Sequence, residues 1–246
     1  MPRPSWKDLK AEHTSALEEL KQLRTKMRHM HREMGSMLLD LPTPADRAGE
    51  PEPITDEVTQ AAAAAMERAE AEWLLDVTEP GLGGEHGADR IDVYIRGDEG
   101  LGWPDADLKR DGRQPYMRNG QFAWCGAFAA YAWGASINSL VRKSTFPSTY
   151  RLWRDWQSRR VPVASMRPGD LVIVFNASAT DEDKRKKPYG HHITLCRQPG
   201  PNSYITLEGN ARAAGPDGRL REGVGSRERE HSSIAVVYRP QASDLA

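Results

Sequence analysis

Along residues 6–41 the apolar positions step by three and four: Trp6, Leu9, His13, Ala16, Leu20, Leu23, Met27, Met30, Met34, Met37, Leu41. Only His13 and Ala16 interrupt an a/d seam of about five heptads, and the positions between are rich in Lys, Arg and Glu, so the pattern predicts a coiled-coil helix over 1–41. A stripe this narrow needs a second helix to bury it. That predicts a homo-oligomer or a docking partner, with folding back onto the rest of the chain as the alternative. Four successive seam methionines pack adaptably and leave the oligomeric state open.

The pattern then stops. Residues 42–54 hold four prolines and read as an extended linker, which leaves 55–241 as a second domain. Thr55 stands where an N-cap would, ahead of an alanine-rich helical run to Leu75. In DRIDVYIR, Asp89 to Arg96, the residues Ile91, Tyr94 and Ile95 form one face of a short helix. Residues 97–120 are polar and read as a surface loop, whereas Phe122 to Ala135 is apolar nearly all round and predicts a buried helix. Four β-branched runs follow, at 171–175, 192–196, 204–208 and 234–238, each bounded by turn formers. Helices first and strands afterwards predict an α+β fold, with helices packed on an antiparallel β-sheet.

Composition removes several function classes. The 34 basic and 35 acidic residues are interspersed, for a net charge of -1, so no whole-protein field gathers nucleic acid. The run Asp181 to Lys187 switches sign internally and reads as a solvated loop rather than a phosphate site. No apolar run reaches the roughly 18 residues of a membrane span, and the charged N-terminus lacks the apolar core of a secretory signal. Synthesis in the cytoplasm is expected. With two cysteines, Cys125 and Cys196, there is neither a disulfide framework nor a zinc site, and no cofactor or metal is called for.

Cys125 lies near the start of the buried helix, where the positive end of the helix dipole favours a thiolate; an isolated cysteine there is more often a packing residue, and the residues that accompany it shift the reading. His192 opens a strand. If Ile193 and Leu195 face the core, then His192, Thr194 and Cys196 share the other face, which aims His192 at a cleft and leaves His191 in the preceding turn. The next strand carries Glu208 and Asn210, two apart and so on one face, either of which could orient the imidazole. Nucleophile, base and orienting residue thus arrive in the order helix, strand, strand.

The ordered set WCGAFAAYAW, Pro168-Gly169-Asp170-Leu171-Val172, Gly190-His191-His192-Ile193-Thr194-Leu195 and Glu208-Gly209-Asn210 resembles the CHAP domain, a cysteine amidohydrolase/peptidase of the NlpC/P60 superfamily, over roughly residues 57 to 240. The resemblance implies a papain-like fold, with Cys125 as nucleophile, His192 as general base and acid, and Glu208 or Asn210 orienting it. Thr194 and the doubled histidine depart from the usual pattern. Gln121 is a candidate oxyanion donor, or an exposed loop residue; Trp124, Trp153, Trp156 and His191 are candidates for lining the substrate, with core packing the alternative for Trp153 and Trp156.

The expected activity is hydrolysis of amide bonds through a thioester acyl-enzyme, with bacterial peptidoglycan as the substrate the resemblance implies. Delivery would then be by lysis, by a phage particle or by a secretion apparatus. A cytosolic protease or small-amide amidase, and a non-catalytic coiled-coil interaction protein, are the alternatives.

Overall fold

The computed structural model describes residues 54–78, 87–103 and 124–246. The chain divides after Arg47, and the second compact unit, Ala48–Ala246, holds every described residue. The expected coiled-coil helix over 1–41, nearly all of the 42–54 linker and Gln121 lie outside the described residues.

Helix α1 spans Asp56–Leu74, capped as its sequence requires: the Thr55 hydroxyl accepts from the Val58 N–H at 3.3 Å, and Asp56 and Glu57 meet the positive end of the dipole. Its buried residues Val58, Ala65, Met66, Ala69 and Glu72 follow the helical repeat. Helix α2, Ala88–Arg96, buries Ile91, Tyr94 and Ile95 completely, the face read from sequence. Glu72 would be a lone charge in this interior, and it is matched by the Arg90 guanidinium and by the Tyr94 hydroxyl at 2.6 Å. Helix α3, Cys125–Trp133, is buried at all nine positions.

Short helices α4 (Ser139–Thr145) and α5 (Thr149–Asp155) lead to strand β1 (Arg160–Val161), β2 (Leu171–Val174), helix α6 (Asp181–Lys186) and then β3 (His192–Pro199), β4 (Ser203–Ala214), β5 (Leu220–Glu230) and β6 (Ile234–Tyr238). The strands form one sheet in the order β1-β6-β2-β3-β4-β5, antiparallel throughout. The described residues therefore adopt an α+β fold. Helix α3 packs on β3 and β4 with α1 and α2 beside it. On the opposite face a smaller cluster forms around Met166, Val172, Val174, Cys196, Tyr204 and Val237.

Two expectations are corrected. Among the described residues the sheet has six strands rather than four: β1 is only two residues long and β5 is a charged edge strand, LREGVGSRERE, with no apolar run to announce it. The charge run at 181–187 is a solvated helix rather than a loop. Thr180 and Asp183 form a capping box, and the sign switch sets acids in the first turn and bases in the last, as the dipole favours. Residues past 241 also make contacts here: Asp244 is buried and pairs with Arg159, and Leu245 bridges to Ile137.

Candidate active site

Cys125 is the first residue of α3, so its sulfur lies among backbone N–H groups that the helix itself leaves unsatisfied. Two glycines allow the helix to reach this place. A Cβ on Gly209 of β4 would fall 2.5 Å from the Phe128 Cβ and 2.7 Å from the Trp124 ring, and a Cβ on Gly126 would fall 2.2 Å from the Phe146 carbonyl oxygen. The second clash is with backbone, which has no rotamer to yield. Gly126→Ala is therefore expected to cost on the order of 2 kcal/mol, a fall of about 4–8 °C in Tm by thermal melting followed by circular dichroism.

Pairing of β3 with β4 is recorded from Leu195↔Leu207 onward, so at Ile193 this ladder has ended. The Ile193 N–H donates instead to the Cys125 sulfur, as does that of Gly126. Ile193 and Leu195 join the core beneath α3, and Cys196 belongs to the cluster on the opposite face, as strand alternation requires. His192, at the strand's first position, reaches the Cys125 sulfur with one ring nitrogen. Its Nε2 lies 3.1 Å from Glu208 Oε2, which leaves Nδ1 for the thiol.

Glu208 is fully buried and yet ionised. Burial alone would raise its pKa, but the hydrogen bonds from Arg229 and His192 and their charges hold it at about 2. Arg229 spans the carboxylate, Nε at 2.5 Å from Oε1 and Nη2 at 2.7 Å from Oε2, and the Thr206 hydroxyl donates to Oε1 at 2.5 Å. For His192, burial lowers the pKa, and the Cys125 charge and hydrogen bond together with Glu208 more than reverse this, to about 9. The Cys125 thiol feels the same opposition. Burial pushes it up, and the His192 charge and hydrogen bond with the two backbone N–H groups bring it below the usual thiol value. For Cys196, burial and the Asp170 charge outweigh the Arg239 charge and push the thiol up to about 12. The Cys125 and His192 shifts run in opposite directions, the thiol down and the imidazole up, which is the direction that favours a thiolate–imidazolium pair.

The structure brings Cys125, His192 and Glu208 together and leaves Asn210 out. Between Glu208 and Ala211 the β4–β5 register slips by one residue and Asn210 takes φ 58°, so the expectation that Glu208 and Asn210 share a face fails at this bulge. His191 sits in the turn before β3, its Nδ1 3.5 Å from the Asn176 N–H, beside the Phe175 ring. Trp124 and Trp156, expected to line substrate, are 1% and 4% exposed and pack in the core, Trp124 against Tyr94 and Trp156 against Phe146 and Tyr238. Trp153 remains half-buried, in a cluster with Tyr189 and with Tyr150, which is 41% exposed.

Sequence reading missed Arg229 and Thr206. Gly225 stands opposite Glu208 and offers no side chain, so the carboxylate's cation comes from Arg229 further along β5. The available signal was the alternation Arg227-Glu228-Arg229-Glu230 after Gly223-Val224-Gly225, which is compatible with an edge strand. Among the described residues, no group of three or more His, Cys, Asp or Glu side chains could hold a metal ion, and no helix is long and apolar enough to cross a membrane. Comparison with protein-family models, with curated proteins and with solved structures gives no match to this chain.

Proposed function

We propose that this protein is a cysteine-dependent amidase or endopeptidase of the papain-like, CHAP type, acting on amide bonds of bacterial peptidoglycan. One observation carries the reading: a thiol at a helix N-terminus shares a buried imidazole with an ionised carboxylate, and the three sit in hydrogen-bonded sequence.

In the reaction the Cys125 thiolate attacks the amide carbonyl carbon. The oxyanion that forms meets the Cys125 backbone N–H, which α3 leaves unsatisfied. The His192 imidazolium gives its proton to the leaving amine nitrogen, the C–N bond breaks, and a thioester remains. Water, losing a proton to His192, then cleaves the thioester to a carboxylic acid and restores the ion pair. Glu208 accepts from Nε2 throughout and fixes the tautomer.

The aromatic cluster supports a substrate wall. Pro147, which abuts Gly126 beside the nucleophile, leads within three residues to Tyr150, and Tyr189 precedes His192 by three. The test is to incubate the full chain with purified peptidoglycan, with and without a thiol-alkylating agent, and to read released fragments by mass spectrometry. Fragments ending in a new amine, abolished by alkylation, support the reading. An intact wall alongside cleavage of a casein substrate transfers the chemistry to proteins, and no cleavage of either overturns it.

A further inference from the structure

We propose that Arg229 is a positioning residue for this site, one that acts on the nucleophile through two intermediaries: its two-point fork holds and aims the Glu208 carboxylate, and Glu208 in turn holds His192 Nε2 so that the ring stands beside Cys125. The inference rests on the thiol–imidazole reading given above. Its physical basis is the cost of burying charge. Glu208 is fully removed from water, and a carboxylate in that position ionises only if other groups replace its hydration.

The groups facing it come from three directions. From β3, His192 Nε2 takes one lone pair of Oε2; from β4 itself, the Thr206 hydroxyl takes one of Oε1, and Tyr204 lies near as a neutral phenol. From β5, Arg229 donates to both oxygens. His192 is itself faced by Cys125 from α3 and by Glu208 from β4. The charges along this line read thiolate, imidazolium, carboxylate, guanidinium, so each has an opposite neighbour and the four sum to zero. Deleting the last leaves three buried charges summing to minus one. The site then lowers its energy by protonating Glu208, and a neutral carboxyl no longer favours the imidazolium. The two-point fork also fixes the plane of the carboxylate, which one ammonium would not.

The experiment records the His192 ring resonances by NMR against pH in wild type, Arg229→Met and Arg229→Lys, with kcat and KM measured in parallel. The expected result is a His192 midpoint near 9 in wild type. In Arg229→Met it falls by at least about one unit, with kcat down roughly 100-fold and KM little changed. Arg229→Lys, which keeps the charge and loses the fork, falls between. An unchanged or raised midpoint in Arg229→Met overturns the proposal. Should that variant not fold, a wild-type midpoint and wild-type kcat in Arg229→Lys overturn it instead. The NMR readout needs no substrate, so loss of the peptidoglycan assignment leaves the Arg229 result standing, and the two failures are distinguishable.

Discussion

Cys125→Ala is expected to abolish turnover, a loss of at least about 10⁴-fold in kcat/KM, while the protein remains folded. Without sulfur no acyl-enzyme can form, and the water that remains is not held among the Ile193 and Gly126 N–H groups as an anion would be. The fold tolerates the change because position 125 already packs in an alanine-rich helix, followed by Ala127, Ala129 and Ala130. Fragment release by mass spectrometry and a thermal melt separate the two effects. Activity within tenfold of wild type would remove Cys125 from the chemistry.

His192→Ala is expected to cost about 10³-fold or more, by a different route. The imidazole supplies most of what lowers the Cys125 thiol against burial, so its removal returns the sulfur to a neutral thiol and also deletes the proton donor for the leaving amine. Folding should survive, since Glu208 keeps both hydrogen bonds from Arg229 and that from Thr206 and is not left as an unpaired buried charge. Measured kcat/KM should fall at every pH, and raising the pH should recover part of the loss as the thiol ionises unaided. A variant with unaltered rate and pH profile would show that His192 is not the base.

How much of this was legible in the sequence depends on how local the cause is. Thr55 caps α1 through a contact three residues away, and Ile91, Tyr94 and Ile95 lie on one turn of a helix, so pattern alone finds both. The four apolar strands are visible for the same reason, and so is the placement of Cys125 and His192 at the starts of their elements. Strand β5 is not, because an edge strand needs no apolar run and its stability comes from pairing with β4. Arg229 was invisible with it. The choice between Glu208 and Asn210 turned on one extra residue in a ladder, which alternation assumes away. Trp153 and Trp156, three residues apart on one short segment, differ in exposure because Phe146 and Tyr238 close over Trp156 while Trp153 meets the half-exposed Tyr189, and these partners are distant in sequence.

Thiolate absorbance in the ultraviolet, taken as wild type minus Cys125→Ala across pH, tests the ion pair at the centre of this account. It needs no substrate and no reagent access to a side chain that is only 5% exposed. Cys196, pushed up to about 12, cancels in the difference. The sign follows from the shifts: the Cys125 thiol lies below its ordinary value of 9.0 and His192 stands at about 9, so between the two the sulfur is anionic and the ring cationic. The predicted result is a thiolate signal that develops below the ordinary thiol value and is lost on acidification, accompanied by activity that declines again as His192 deprotonates near 9. A signal that develops only above the ordinary thiol value would contradict it, and Cys125 would then be a packing residue with no poised nucleophile at the head of α3.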